Sequence, residues 1–170
     1  LTIWFGWNDA AYGANSMRDD YCVATYGELY SNCTAEQKAE ADAHADWQAT
    51  FLGAIDSDNT KTWSGAWNFV LNYFTLTLPI PHLGVVIPYL APTAYCISLR
   101  ERLIEICKRY GVSYFDVANP HDCPAIGWGE NAALANASGL KALYTADGTH
   151  PNADGYKRIA PAYIDFIHRI

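Results

Sequence analysis

The spacing of apolar and polar positions divides the chain into strands buried on both faces and amphipathic helices. Leu1 to Phe5 is an apolar run interrupted only by Thr2, as expected of a strand covered on both sides. Residues 10–33 mix Gly, Asn, Asp and Tyr with little periodicity and read as an excursion from the sheet edge. Thr34-Ala35-Glu36-Gln37 fits a capping box, which predicts a helix from there to about Gln48. Trp67, Val70, Leu71 and Phe74 recur at helical spacing, so Ser64 to about Leu76 is a second helix with one buried face. Pro79 and Pro81 break the chain before a strand at Leu83–Ile87, which ends at Pro88-Tyr89. Leu99, Leu103, Ile106 and Tyr110 mark a long helix stopped by Gly111. Val112–Val117 is a third strand, and residues 118–146 form a long connection of the kind that lines sites. Tyr156, Ile159, Tyr163 and Ile167 then predict a terminal helix within Asn152–Ile170, with Pro161 kinking it or starting it. Strands alternating with helices argue for one α/β domain: a parallel sheet with helices on both faces.

Composition narrows the partners. At 170 residues the chain can bury one substantial core. Its net charge of −7 disfavours nucleic acid, whose phosphates call for clustered Lys and Arg. No apolar run is long enough to span a bilayer. The five cysteines show no zinc-like spacing, so no metal or other cofactor is expected. Cys22 and Cys33 flank a Tyr-rich loop and can form a disulfide if the protein is exported, whereas Cys96 and Cys107 read as buried thiols on a helix. Asn32-Cys33-Thr34 and Asn136-Ala137-Ser138 match the glycosylation pattern. Together these favour an extracytoplasmic location slightly without fixing the compartment.

The chemistry concentrates in Asp147-Gly148-Thr149-His150-Pro151 and Gly6-Trp7-Asn8-Asp9. A carboxylate three residues before a histidine can fix the ring's tautomer and stabilise its cation, leaving the other nitrogen to take a proton. Pro151 suits the first turn of the helix that follows. Gly6 permits a sharp turn, so Asn8 and Asp9 can project from the strand's carboxyl end, the edge where open α/β sheets bind ligands. An ordinary turn with a helix cap accounts equally for either stretch alone. Ile55-Asp56-Ser57 imitates a strand-to-helix nucleophile turn, although a loop or helix-capping segment is favoured for Ser57. His44 is expected on a solvated helix face and His121 in a loop.

A strand ending Gly-x-Asn-Asp, two further strand-helix units and Asp-Gly-Thr-His-Pro-Asn-Ala-Asp-Gly-Tyr before a last helix resemble the carboxyl two-thirds of an SGNH (GDSL-type) hydrolase. Gly53 to Trp67 and Val86-Ile87-Pro88 add to the likeness, and the two ordered motifs lie about 140 residues apart. The resemblance implies a three-layer flavodoxin-like α/β fold and hydrolysis of an ester through an acyl-serine intermediate. It makes His150 the base that deprotonates the serine and later protonates the leaving alcohol. Asp147 would orient it. Asn8 would donate to the oxyanion, Gly6 would let the strand turn so that Asn8 faces the pocket, and Asp9 would support them by hydrogen bonding. The substrate would be a small-molecule or carbohydrate ester, with O-acetyl groups on carbohydrate one option.

The family's Gly-Asp-Ser nucleophile and its backbone oxyanion glycine lie upstream of the Gly-x-Asn-Asp strand and are not among these residues. In the strand order 2-1-3-4-5, loss of the first two strands would bare Leu1–Phe5 as an apolar edge. The expectation is therefore that the missing amino-terminal strands come from the same polypeptide or from another chain. The rival is a non-catalytic carbohydrate-binding or phage-type structural module, with Trp7, Trp63, Trp67 and Trp128 stacking on sugars. A flavodoxin-like cofactor binder is weaker, because no Gly-rich phosphate loop follows any strand.

Overall fold

The structure is a computed structural model that describes residues 1–4, 7–87, 93–119, 122–124, 139–146 and 150–170; for 7–11 and Lys141 only the backbone is described. Among them, three short strands form one parallel sheet in the order β1 (Thr2–Ile3), β2 (Gly84–Ile87), β3 (Ser113–Asp116). Thr2 and Ile3 face Gly84 and Val85, and β2 and β3 pair from Gly84–Ser113 to Ile87–Asp116. The strands are shorter than the apolar runs predict but fall on them. Within the described residues, nothing pairs with the outer edge of β1, and Leu1 and Trp4 are exposed beside buried Ile3.

Side chains alternate across a strand, and each face of β2 meets a different cluster. Val85 and Ile87 pack with Trp63, Trp67, Leu71, Leu99, Leu103 and Ile106, which belong to helices α4 (Trp63–Asn72) and α5 (Ala94–Tyr110). Val86 turns the other way, with Phe115 and Val117, onto Ile159 and Phe166 of the terminal helix α7 (Ala153–Arg169). Helices thus cover both faces of the sheet.

The helices that match expectation carry the signals that predicted them. Helix α2 (Ala35–His44) opens with the full capping box: the Gln37 N–H donates to Thr34 Oγ1, and the Gln37 side chain accepts from the Thr34 N–H. Helix α5 is capped by Thr93 and stops at Gly111, whose left-handed φ of 65° an L side chain adopts only with strain. Helix α4 continues into a π-helical segment, Tyr73–Thr77, close to the predicted end. Cys96 and Cys107 are buried thiols.

Four expectations need correction. Residues 10–33 are not an excursion: helix α1 runs from Trp7 to Tyr26, followed by a 3-10 turn at Tyr30–Asn32. Ala14 and Met17 lean on the main core, and Gly13 lies so close to the Phe51 ring that an added Cβ would overlap it. Trp7–Asp9 therefore form the first turn of α1. The helix predicted to Gln48 breaks at Ala45, because Asp46 accepts from the Gln48 and Ala49 N–H groups and starts α3 (Trp47–Leu52). The 118–146 connection contains a short helix, α6 (Leu140–Tyr144). Finally, α7 neither starts at Pro161 nor includes Pro151 in its first turn; it runs through Pro161 and is capped by Asn152.

Candidate functional site

His150 sits where the α6–α7 connection folds back on itself. The Ala146 N–H donates to the His150 carbonyl (2.8 Å) and the Asn152 N–H to the Tyr144 carbonyl (3.0 Å), while Thr145 and Pro151 form an antiparallel bridge. Pro151 therefore belongs to the leg of this turn. Residues 147–149 lie outside the described residues, so Asp147 and its relation to His150 do too. The ring-bearing residue itself is exposed.

The direction of α7 fixes which end of the sheet His150 occupies. Its last turn lies against the start of β2: a Cβ on Gly84 would stand 2.7 Å from the Phe166 ring, and the Ile170 carbonyl meets His82 Nδ1 at 2.7 Å. The helix runs back antiparallel to the strands, which brings its first turn and His150 to their carboxyl edge. Asn8 follows β1 and enters α1 at that same edge. The Asn8 side chain and Gly6 lie outside the described residues, as does His121.

Asp116, the last residue of β3, adds a buried charge there. Only 1% exposed, its Oδ2 accepts from Arg100 Nε at 2.9 Å and Nη2 at 2.5 Å. Its Oδ1 takes the Ala118 N–H at 3.1 Å, holding the chain as it leaves the sheet. Beneath it, burial pushes the Cys123 thiol up to about 11, away from thiolate chemistry.

Three of the described serines are occupied elsewhere. Ser64 is buried and donates to the Leu52 carbonyl, and Ser98 bonds back to Ala94 within its helix. Ser57 Oγ accepts from the Asn59 N–H and Thr62 Oγ1, so it caps a loop, as the sequence reading favoured. No described serine shares a hydrogen bond with His150. Ser138 lies outside the described residues.

Two of the four tryptophans named for sugar stacking are buried. Trp63 and Trp67 are 2% and 1% exposed, and Trp63 Nε1 donates to the Leu99 carbonyl between two helices. They are core and cannot stack on a sugar. Trp128 and the side chain of Trp7 lie outside the described residues. His44 is exposed as expected, with its ring stacked on Tyr21 at 4.1 Å. Cys22 and Cys33 are neighbouring thiols in one small buried cluster, not a disulfide; burial, then a hydrogen bond with Cys33, raises the Cys22 thiol.

Asn152 and Gly155 are the positioning residues that sequence reasoning missed. Asn152 Oδ1 accepts from the Asp154 and Gly155 N–H groups, while its Nδ2 donates to the Leu143 and Thr145 carbonyls. Gly155 lets α7 approach the Tyr144 carbonyl, which would stand 2.2 Å from any Cβ there. Asn-x-x-Gly straight after His-Pro was the available signal. Comparison of this chain with protein-family models, with curated proteins and with solved structures found no match. Among the described residues, no helix is long and apolar enough to cross a membrane.

Proposed function

We propose that this chain carries the base and oxyanion side of a serine esterase of the SGNH type, on a three-layer flavodoxin-like fold. His150 deprotonates a serine, which attacks the ester carbonyl and forms the tetrahedral oxyanion. Collapse expels the alcohol, which takes the proton back from His150 and leaves an acyl-serine; water, deprotonated by the same ring, then releases the acid. Asp147 orients the ring. The Asn8 amide donates to the oxyanion, and Gly6 opens the turn that aims it. The reading places the nucleophilic serine outside the 170 residues. The substrate is a small-molecule or carbohydrate ester.

One observation carries this reading: a parallel sheet flanked by helices on both faces brings the start of α1 and His150, far apart in sequence, to one edge. Fluorophosphonate labelling of the intact native protein, with peptide mapping, tests it. One labelled serine is expected, with the label lost in H150A. Removal of the oxyanion donor in N8A should lower kcat about 10²–10³-fold. An unlabelled native protein would overturn the proposal in favour of a non-catalytic module.

A further inference from the structure

A concavity opens at the other end of the sheet. Helices α4 and α5 run side by side in the same direction, since Trp63 reaches Leu99 near their starts and the Tyr110 hydroxyl donates to the Asn68 carbonyl near their ends. Gly111 leads directly from α5 into β3. Their carboxyl ends therefore lie at the amino edge of the strands, away from His150. There, α4, the π-helical segment, the end of α5 and the 56–58 loop enclose a cleft of about 370 Å³, within the roughly 300–1,000 Å³ of ordinary small-molecule sites.

The cleft is firmly built. Asn68 Nδ2 donates to the Ile55 and Ser57 carbonyls, both at 2.9 Å, and pins the loop to α4. Gly65 allows the Asn59 carbonyl within 2.1 Å of where a Cβ would sit. Phe74 packs on the main core and meets Tyr73 edge-on at 5.2 Å, bracing that ring. Phe69 and Tyr73, one turn apart along the helix, line the cleft and are 64% and 42% exposed. Asp56, Asp58, Asn72 and Arg109 line it as well, and none of these side chains is hydrogen-bonded or ion-paired among the described residues. The π-helical Tyr73–Thr77 forms part of the wall, and such segments recur at functional sites.

We propose that this cleft binds a neutral saccharide. Two carboxylates oppose an anion, and Arg109 opposes a cation. A purely apolar ligand would strip water from four unpaired polar groups. A pyranose meets both requirements. Its C–H face packs on aromatic rings, while its hydroxyls donate to Asp56 and Asp58 and accept from Asn72 and Arg109. This site does not depend on the esterase reading, because labelling of a serine bears on neither its walls nor its ligand.

Saturation-transfer NMR of the native protein with cellotetraose, xylotetraose and chitotetraose is the test. At least one is expected to bind at millimolar concentration, with the double variant F69A/Y73A weakening it about tenfold or more. N72A should weaken it severalfold, and the control I164A on the opposite face should bind like the parent. Both aromatics are exposed, so an unchanged thermal unfolding curve will show that the double variant folds. No transfer to any of the three sugars, equal binding by F69A/Y73A, or displacement of the sugar by inorganic phosphate would each overturn the assignment.

Discussion

The Asn152 side chain bonds in both directions, and this makes it the pivot of the His150 turn. As an acceptor it satisfies two N–H groups at the start of α7; as a donor it ties the turn's other leg through Leu143 and Thr145. Loss of a cap alone costs about 0.5–2 kcal/mol, so N152A is expected to destabilise the protein by at least about 1 kcal/mol in urea unfolding. N152D keeps the acceptor and loses the donor, which separates the two roles: its stability should fall between parent and N152A. An N152A protein as stable as the parent would show that the turn is held by its backbone bonds. G155A acts differently, by forcing a methyl onto the Tyr144 carbonyl, and overpacking of this kind costs roughly 1–3 kcal/mol.

At the scale of elements, legibility followed the number of independent signals per segment. Helix α5 announced itself through an apolar stripe and a terminal glycine, and α2 through a capping box; both appear where predicted apart from α2's end. Helix α1 had no such markers. Its core contacts come from a glycine, an alanine and one methionine, Gly13, Ala14 and Met17, and an apolar count is blind to packing by absence of a side chain. The break at Ala45 was readable only from Asp46, because a two-residue linker leaves no room for turn composition. For the candidate site, the sequence singled out His150, but the elements that hold it were not legible. A cap that also bonds backward shows only once α6 and α7 are placed side by side.

The same scale governs the Arg100–Asp116 pair, which joins α5 to the end of β3. Taking away one partner of a buried pair costs about 3–5 kcal/mol. D116A is therefore expected to unfold at much lower urea concentration. D116N keeps the side chain's shape and one acceptor oxygen, enough for the Ala118 N–H or the Arg100 guanidinium but not both, so it should lose less than D116A. Equal losses in the two variants would mean that the charge both remove, not the retained shape, makes Asp116 matter.

For the whole molecule, the buried thiols set a limit on the alkaline side. Burial raises Cys107 from its ordinary 9.0 to about 12 and Cys123 to about 11, and one lies in each of the clusters flanking the sheet. A raised folded-state pKa means that the thiol form is preferred inside. Its stabilisation is full below the unfolded value and is lost as the pH rises towards the folded one, because the unfolded chain ionises first. The free energy of unfolding should therefore fall continuously over roughly pH 8–11. A net charge of −7 becomes more negative over the same range and adds self-repulsion, so the slope of the parent alone does not identify the thiols. C107A does: it lowers stability at every pH by leaving a small cavity, but it removes one titrating group and should flatten the slope. Urea unfolding of both proteins across that range gives the comparison, and parallel slopes would assign the alkaline loss to surface charge instead of to Cys107.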